Sequence, residues 1–406
     1  PRHTGRDVMR APDENAAYTL ERLQASAAKL IPVLRERAIE TTKERRIPEA
    51  TIRDLWDADL FYLLKPKKFG GPAVRPDIAF QVADQLGRGD GSAAWIWSVM
   101  TIHDLFVALY PQEFQQEYWG RPNTLSASSF SPGGMATSEK GGFRLSGKWS
   151  FCSGVDNAEW MFLGAIFGPP SGGSPMPDIR YVMVPQRECK IIDDWDVMGL
   201  RGTGSKSIAL DNAFVPQHRV LSHAAMAEGT TPGAKVHDGW LYRAPVWTFV
   251  PFTISAPANG IARGALESFI DEMRARETSF DHSAMAKKPG MHMRVAEASA
   301  MIDAGDLLYK RSYRETMDKL EAGETLSLEH RARSRRDQGY SVLLAKRGAE
   351  TLLAGTGGRG LFEQNHVQRA YRDLVAVSGH IVANWDAPAY SYGSIMLGGP
   401  PSEIFV

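Results

Sequence analysis

Two side chains near the middle of the chain, Phe151 and Ser153, combine an aromatic ring with a small hydroxyl two residues apart. They lie in the segment Gly147–Gly154, which is followed after five residues by Trp160 and an apolar run typical of a strand. Alternate residues of a strand point to the same face, so the ring and the hydroxyl are expected to share one face. Such a pair suits a flat cofactor with polar edges. The alternative is a hairpin edge whose hydroxyl is merely solvated.

The elements that must position this pair fall into three zones. From about residue 14 to 111, apolar residues recur at helical spacing. From about 123 to 222, alternating apolar runs are separated by Gly, Pro and Asp clusters, which is typical of antiparallel strands. From 248 onward long amphipathic helices return and are expected to pack as a bundle. We predict an α+β, mostly α protein with an N-terminal helical domain (1–122), a middle antiparallel β-barrel domain (123–233) and a C-terminal four-helix bundle (234–406).

Composition excludes several classes of partner. The 406 residues include 47 basic and 47 acidic side chains, so no overall field favours nucleic acid or an anionic membrane surface. The basic run Arg331–Arg336 has acidic neighbours and lacks interleaved aromatic residues. We therefore interpret it as a solvated helix end and predict no nucleic-acid partner.

Cysteine usage and apolar runs indicate the compartment. Cys152 and Cys189 are too few for a disulfide framework and lack the spacing of a zinc site, so no metal is expected. The N-terminal residues 1–6 are polar and lack an apolar signal core, and no apolar run approaches the roughly 20 residues of a spanning helix. The sequence predicts an unexported cytoplasmic protein with no membrane partner.

The order of the zones, together with several short motifs, resembles the acyl-CoA dehydrogenase superfamily. Within it, the chain looks like the two-component, reduced-flavin-dependent monooxygenases that hydroxylate aromatic compounds. The resemblance covers nearly the whole chain, from Arg45–Pro48 through Lys68–Gly71 to the C-terminal helices. Its most specific motifs are the strand Trp149–Gly154 with Trp160, and the strand and turn Trp195–Ser205.

The resemblance implies a flavin site on the middle zone. At the position of Phe151 the family carries an aromatic residue against the flavin, and at Ser153 a hydroxyl that hydrogen-bonds the flavin N5. The segment Leu125–Pro132, which includes Ser129, resembles the loop that wraps the isoalloxazine with backbone donors.

Two glycine-containing turns are further candidates for this site. Arg201 lies in a glycine-rich turn with Thr203 and Ser205, where small neighbours let a ligand approach the backbone. Arg201 either contacts a flavin phosphate or substrate carboxylate, or is a surface arginine bonded to loop carbonyls. Gly358 lies in a turn similar to the one through which a neighbouring subunit touches the flavin in the superfamily. The resemblance also implies a homotetramer, because the long bundle helices of this family pack as dimers of dimers.

One departure from the family pattern concerns the flavin's phosphates. Where acyl-CoA dehydrogenases have an Arg-x-x-Phe-Gly segment that holds the second phosphate of FAD, residues 274–282 lack the Phe-Gly pair. Without it the adenosine half loses charge-assisted bonds. We therefore predict reduced FMN rather than FAD, with O2 as co-substrate.

A second departure places a histidine near the position of the dehydrogenases' catalytic glutamate. His380 lies within a predicted helix over 368–385, and in the monooxygenase branch a histidine here faces the aromatic substrate's hydroxyl. Hydroxylation of a phenol requires a C4a-hydroperoxyflavin that survives long enough to react, and a base of near-neutral pKa to accept the phenolic proton. We assign stabilisation of the N5 proton to Ser153 and the base to His380. The alternative for His380 is a histidine satisfied by a backbone carbonyl.

Substrate contacts are expected on the segment around His103 and from large aromatic residues. The resemblance places pocket residues, including a polar one, near His103, with Trp95 and Trp385 as further candidates for the pocket wall. Each of the three could equally be an ordinary core residue.

The predicted function is the oxygenase component of a two-component monooxygenase acting on an aromatic small molecule. No GxGxxG turn after a strand opens a nucleotide-binding unit, so a separate NAD(P)H:flavin reductase is expected to supply the reduced flavin. The alternatives are an acyl-CoA dehydrogenase, an N- or S-oxygenating relative, and a flavin-free helical scaffold.

Overall fold

The N-terminal part of the chain is helical, as predicted. The structure is a computed structural model that describes residues 18–170 and 176–402. Thr19 caps the first helix, because its hydroxyl accepts the backbone N–H of Arg22 at 3.3 Å. The helices of this part are α1 (Leu20–Glu44), α2 (Glu49–Asp57), α3 (Pro76–Gly87), α4 (Gly91–Leu109) and α5 (Gln112–Trp119).

Helix α4 is the buried helix on which the site depends. Asp90 caps it by accepting the backbone N–H of Ala93 at 2.8 Å, and every residue from Gly91 to Leu109 is buried. Among the described residues it is the one helix long and apolar enough to cross a membrane by length and composition. The expectation that no run approaches that length is therefore wrong, and enclosure by the rest of the protein accounts for the apolar composition of α4.

Seven strands of the described chain form one sheet between α5 and the C-terminal helices. Their order across the sheet is β5-β6-β2-β1-β3-β4-β7. The strands are β1 (Ser126–Glu139), β2 (Gly142–Cys152), β3 (Trp160–Gly168), β4 (Asp178–Pro185), β5 (Lys190–Ile192), β6 (Lys206–Pro216) and β7 (Val220–Ser222).

The predicted antiparallel β-barrel is wrong. The edge strands β5 and β7 pair with one neighbour each and not with one another, so the sheet stays open. Closure needs pairing along the edges, and each of these edges has only three residues. The sheet is also mixed, since β1 and β3 run parallel while the other pairs are antiparallel.

The expectation that Phe151 and Ser153 alternate along one regular strand is wrong as well. β2 ends at Cys152, and its pairing with β6 shifts register between Trp149 and Cys152. Phe151 has φ of 60°, a left-handed conformation that breaks the alternation of side chains. The two residues therefore make separate contacts at the end of the strand.

The C-terminal part is helical, and α7, α8, α9 and α10 pack against one another. The predicted final helix over 368–385 ends earlier, at Gly379, because the chain turns at His380, whose carbonyl accepts the backbone N–H groups of Ala383 and Asn384. The predicted domain limits remain predictions. The helices after the sheet are α6 (His223–Glu228), α7 (Val250–Ala275), α8 (Pro289–Glu321), α9 (Leu328–Thr356), α10 (His366–Gly379) and α11 (Asp386–Met396).

Candidate active site

Three hydroxyl side chains meet where β2 ends beside the turn before β6. The Ser153 and Ser205 oxygens are 2.8 Å apart, and the Ser205 and Thr203 oxygens are 2.7 Å apart. Thr203 donates in turn to the backbone carbonyl of Leu200 at 2.8 Å. We call Ser153, Ser205 and Thr203 the hydroxyl chain.

Backbone contacts hold the two halves of the hydroxyl chain together. The Gly154 N–H donates to the Thr203 carbonyl at 2.9 Å, and Gly154 has φ of 78°. A Cβ on Gly202, inside the same turn, would come within 2.2 Å of the Thr41 side chain on α1. The turn therefore packs so closely against the helical part that its middle residue must be glycine.

Trp95 of α4 closes the site from the helical side. Its indole Nε1–H donates to the Ser153 hydroxyl at 3.3 Å, and its ring meets that of His380 edge to face with centroids 5.5 Å apart. Trp95 is buried and its indole nitrogen can only donate. The predicted residues Ser153, Trp95 and His380 are thus brought together from the end of β2, from α4 and from the end of α10.

His380 stands at the C-cap of α10. Its Nδ1 accepts the backbone N–H of Val382 at 3.1 Å, so the proton of the neutral ring lies on Nε2. Burial, and then the positive charge of Arg335, lowers the pKa of His380 to about 4. The expected near-neutral pKa is therefore wrong, and the imidazole is uncharged at neutral pH.

Arg335 is a residue of this region that sequence reasoning placed wrongly. It lies on α9, is 2% exposed and donates to the side-chain oxygen of Gln338 at 3.1 Å. The interpretation of Arg331–Arg336 as a solvated helix end is therefore wrong for Arg335. A helical signal was present, because Arg335 lies in register with the buried positions Gln338 and Val342 farther along α9.

Asp373 of α10 anchors the turn that carries the hydroxyl chain. Its Oδ1 accepts the backbone N–H of Leu200 at 2.6 Å, and Leu200 has φ of 51°. Burial, and then the neighbouring Asp90, raises the pKa of Asp373 to about 7. A left-handed leucine is strained, and a buried hydrogen bond of this kind is what holds such a conformation. Sequence reasoning gave no sign of this contact.

The predicted cofactor residues differ in how they are used. Arg201 donates to the Val197 carbonyl at 2.7 Å and pairs with Asp196 at 3.0 Å, which is the loop-bonded alternative. Ser129 donates to the Ser150 carbonyl at 2.9 Å and so ties β1 to β2. Neither contact joins these side chains to the hydroxyl chain.

His103 is a core residue of α4 whose side chain contacts β1. Its Nδ1 is 2.7 Å from the Ser126 carbonyl and its Nε2 is 3.0 Å from the Ser128 hydroxyl, and the residue is 1% exposed. Burial lowers the pKa of His103 to about 4. These are the contacts of a satisfied core histidine, and its contact with a substrate remains a prediction.

Trp385 and Gly358 make no hydrogen bond or ring contact with the hydroxyl chain within the described residues. The Trp385 ring packs on Tyr340 with centroids 5.0 Å apart and lines a cavity of about 150 Å³ against α9. Gly358 lies in the turn Gly357–Leu361, where an added Cβ would meet no atom within 4 Å. The roles predicted for both residues remain predictions.

Comparisons with known proteins agree with this architecture. Residues 252–385 match the family model "Acyl-CoA dehydrogenase, C-terminal domain". The chain is 35% identical over 405 residues to the FADH(2)-dependent resorcinol hydroxylase, oxygenase component, of Rhizobium sp. (strain MTP-10005), over 97% of this chain and 98% of the relative. The chain belongs to the family of flavin-dependent monooxygenase oxygenase components.

Two further similarities extend across nearly the whole molecule. The chain is 33% identical over 384 residues to the flavin-dependent monooxygenase, oxygenase subunit HsaA, of Mycobacterium tuberculosis (strain ATCC 25618 / H37Rv), over 94% of this chain and 97% of the relative. A crystal structure of the HsaA monooxygenase from M. tuberculosis superposes with a TM-score of 0.87 at 32% identity, covering 95% of this chain and all of the other. The resemblance to the oxygenase-component family is thereby confirmed.

The residues at the end of β2 fit the flavin ring that this family of oxygenase components uses. Phe151 is strained in the left-handed region, yet its ring is 71% exposed, with only the edge of Trp195 at a centroid distance of 6.0 Å. Strain and exposure of a large apolar ring together are typical of a ligand contact. Ser153, two residues on, adds a polar group suited to a ring nitrogen.

Asp373→Asn should flatten the pH dependence of stability. The native pKa near 7 lies above the value of about 4 in an unfolded chain, so the contribution of Asp373 to stability is complete below pH 4 and lost as pH rises toward 7. Asparagine keeps the acceptor for the Leu200 N–H without charge. Relative to wild type, its free energy of unfolding should rise by on the order of 2–4 kcal/mol between about pH 4 and pH 8, measured by urea denaturation. The exposed Asp386→Asn is the control, and equal pH slopes in wild type and Asp373→Asn would contradict the assignment.

Proposed function

We propose that this chain is the oxygenase component of a two-component monooxygenase. It takes reduced flavin from a separate NAD(P)H:flavin reductase and uses O2 to hydroxylate an aromatic or phenolic small molecule. The observation that carries the proposal is the meeting of Ser153 and His380 at Trp95. The names of the relatives support it, since one is a hydroxylase that depends on FADH(2) and another is an oxygenase subunit.

The flavin would lie against Phe151, with its N5 edge at Ser153. Bound reduced flavin supplies the electrons that activate O2. The protein holds the ring, accepts a hydrogen bond from the flavin N5–H at the Ser153 oxygen, and excludes water through buried neighbours such as Trp95.

His380 is proposed to contact the oxygen of the substrate as a hydrogen-bond donor. Because Val382 occupies Nδ1 and the pKa is about 4, the neutral ring offers an N–H at Nε2 and not a basic nitrogen there. A donor beside the positive charge of Arg335 stabilises negative charge on a phenolic oxygen, which makes the ring carbons richer in electrons. This replaces the predicted role of His380 as acceptor of the phenolic proton.

The choice of flavin is proposed to be broader than the sequence indicated. The missing Phe-Gly pair predicted FMN, whereas the relative at 35% identity is named for FADH(2). We propose that the chain accepts reduced FAD as well as reduced FMN, because the contacts described above all involve the ring end, which the two flavins share.

A coupled assay tests the function. The purified chain is mixed with a generic flavin reductase, NADH, FAD or FMN, and a panel of phenols, indoles and sulfur heterocycles. We expect reductase-dependent O2 consumption and a product with one added oxygen atom from at least one phenol. Reduction of a dye by an acyl-CoA thioester without reductase would instead support the acyl-CoA dehydrogenase alternative. No flavin binding at all would support the flavin-free scaffold.

Substitutions of His380 distinguish its two candidate roles. His380→Ala should lower the hydroxylated fraction of turnovers by roughly 10- to 100-fold while peroxide release continues, because a donor to a charged oxygen is lost. His380→Gln places an amide N–H near the position of Nε2 and should recover a substantial part of that fraction. Product and peroxide are quantified together. If Gln is as poor as Ala, the acceptor role is supported and the donor role fails.

We also propose that the chain works as a cytoplasmic homotetramer. Large apolar side chains beside Gly358 are strongly exposed in the single chain, with Leu361 81% and Phe362 65% exposed, as expected of a surface covered in an assembly. Cys152 and Cys189 are free thiols, as in a reducing compartment. Light scattering on protein purified from the cytosolic fraction should give the mass of four chains. A monomer, or absence from that fraction, would contradict the proposal.

A further inference from the structure

The hydroxyl chain has a fixed direction. Each hydroxyl has one proton to donate, and a backbone carbonyl can only accept. The Thr203 oxygen lies 2.8 Å from the Leu200 carbonyl, so the Thr203 proton points to that carbonyl. Two oxygens at that distance without a proton between them would repel each other.

The remaining protons follow from the first. Since the proton of Thr203 is committed, Ser205 must donate to Thr203 across their 2.7 Å contact. The proton of Ser205 is then committed, so Ser153 must donate to Ser205 across 2.8 Å. On its other side Ser153 accepts from Trp95, which can only donate. Ser153 is left with a lone pair and no proton for a ligand.

We propose that Ser205 and Thr203 are positioning residues that make Ser153 a hydrogen-bond acceptor only, and thereby set the preference of the site for reduced over oxidised flavin. This inference rests on the proposed function. A reduced flavin has an N–H at N5, which Ser153 can accept. An oxidised flavin has a lone pair at N5, which would face the lone pair of Ser153.

Burial and anchoring keep the hydrogen bonds of the hydroxyl chain from reversing their direction. Thr203 is 1% exposed and Ser205 is 5% exposed, so water has little access to offer the hydroxyls other partners. The Leu200 residue is held from the other side by Asp373, which accepts its N–H at 2.6 Å. The acceptor at the end of the chain therefore cannot turn away.

Two substitutions interrupt the hydroxyl chain at different hydrogen bonds. Ser205→Ala removes the acceptor of the Ser153 proton. Thr203→Val removes the acceptor of the Ser205 proton, so that Ser205 can donate to Ser153 and reverse the chain. In both variants Ser153 becomes able to donate to an oxidised flavin.

Matched controls separate direction from the simple loss of a buried hydroxyl. Ser207→Ala removes a buried hydroxyl in β6, two residues after Ser205. The Ser207 hydroxyl donates to Ser150 and is outside the hydroxyl chain. Thr203→Ser keeps the terminal hydroxyl and should behave as wild type. Ser153→Ala removes the ligand contact itself.

The measured quantity is the dissociation constant of the oxidised flavin divided by that of the dithionite-reduced flavin. It is determined for FAD and for FMN under anaerobic conditions, by ultrafiltration and absorbance. Wild type, Ser207→Ala and Thr203→Ser should bind the reduced form more tightly by about tenfold or more. In Ser205→Ala and Thr203→Val the ratio should fall by about fivefold or more, chiefly through tighter binding of the oxidised form. In Ser153→Ala it should fall through weaker binding of the reduced form.

The outcomes are distinct. The positioning role would be overturned if the ratios for Ser205→Ala and Thr203→Val stayed within about twofold of wild type. It would also be overturned if Ser207→Ala changed the ratio by the same amount. Either result would leave the proposed function standing. Failure of the wild-type chain to bind either redox form would overturn the proposed function and this inference with it. Thermal melting confirms that each variant is folded.

Discussion

The hydrogen bond from the Leu200 N–H to the Asp373 carboxyl is the constraint on which the rest of the site depends. It is buried and joins α10 to a turn whose backbone is left-handed at Leu200. The carbonyl of the same residue accepts the Thr203 hydroxyl, so α10 anchors the residue whose carbonyl fixes the direction of the hydroxyl chain. That helix ends at His380. One helix therefore positions both the polar group at the end of β2 and the imidazole beyond Trp95.

Burial gives these few polar groups their chemical character. Enclosure by α4 lowers the local dielectric, which strengthens each hydrogen bond that is made and penalises charge. The same cause keeps His380 neutral and raises the pKa of Asp373. Phe151 is the opposite case, because its strained backbone exposes an apolar ring that a planar ligand would cover. The hydroxyl chain beside this exposed ring fits the flavin ring that the family uses.

Local patterns in the sequence predicted the helical zones and the strands around Phe143, Ile179 and Ser207, because these depend on neighbours along the chain. Strand spacing singled out Ser153 with Phe151, but only the resemblance to a family connected Ser153 with Trp95 and His380. Contacts between distant residues escaped: Leu200 and Asp373 are 173 positions apart. The sequence also did not predict the open sheet, the tautomer of His380 or its lowered pKa, because each depends on packing in three dimensions.

The proposed flavin site is tested most directly by a crystal structure of the protein with reduced flavin bound under anaerobic conditions. We predict the flavin N5 at about 3 Å from the Ser153 oxygen, with the ring against Phe151 and the contacts from Ser153 to Ser205 and from Thr203 to Leu200 intact. An isoalloxazine ring bound elsewhere, or an N5 edge turned away from Ser153, would contradict it.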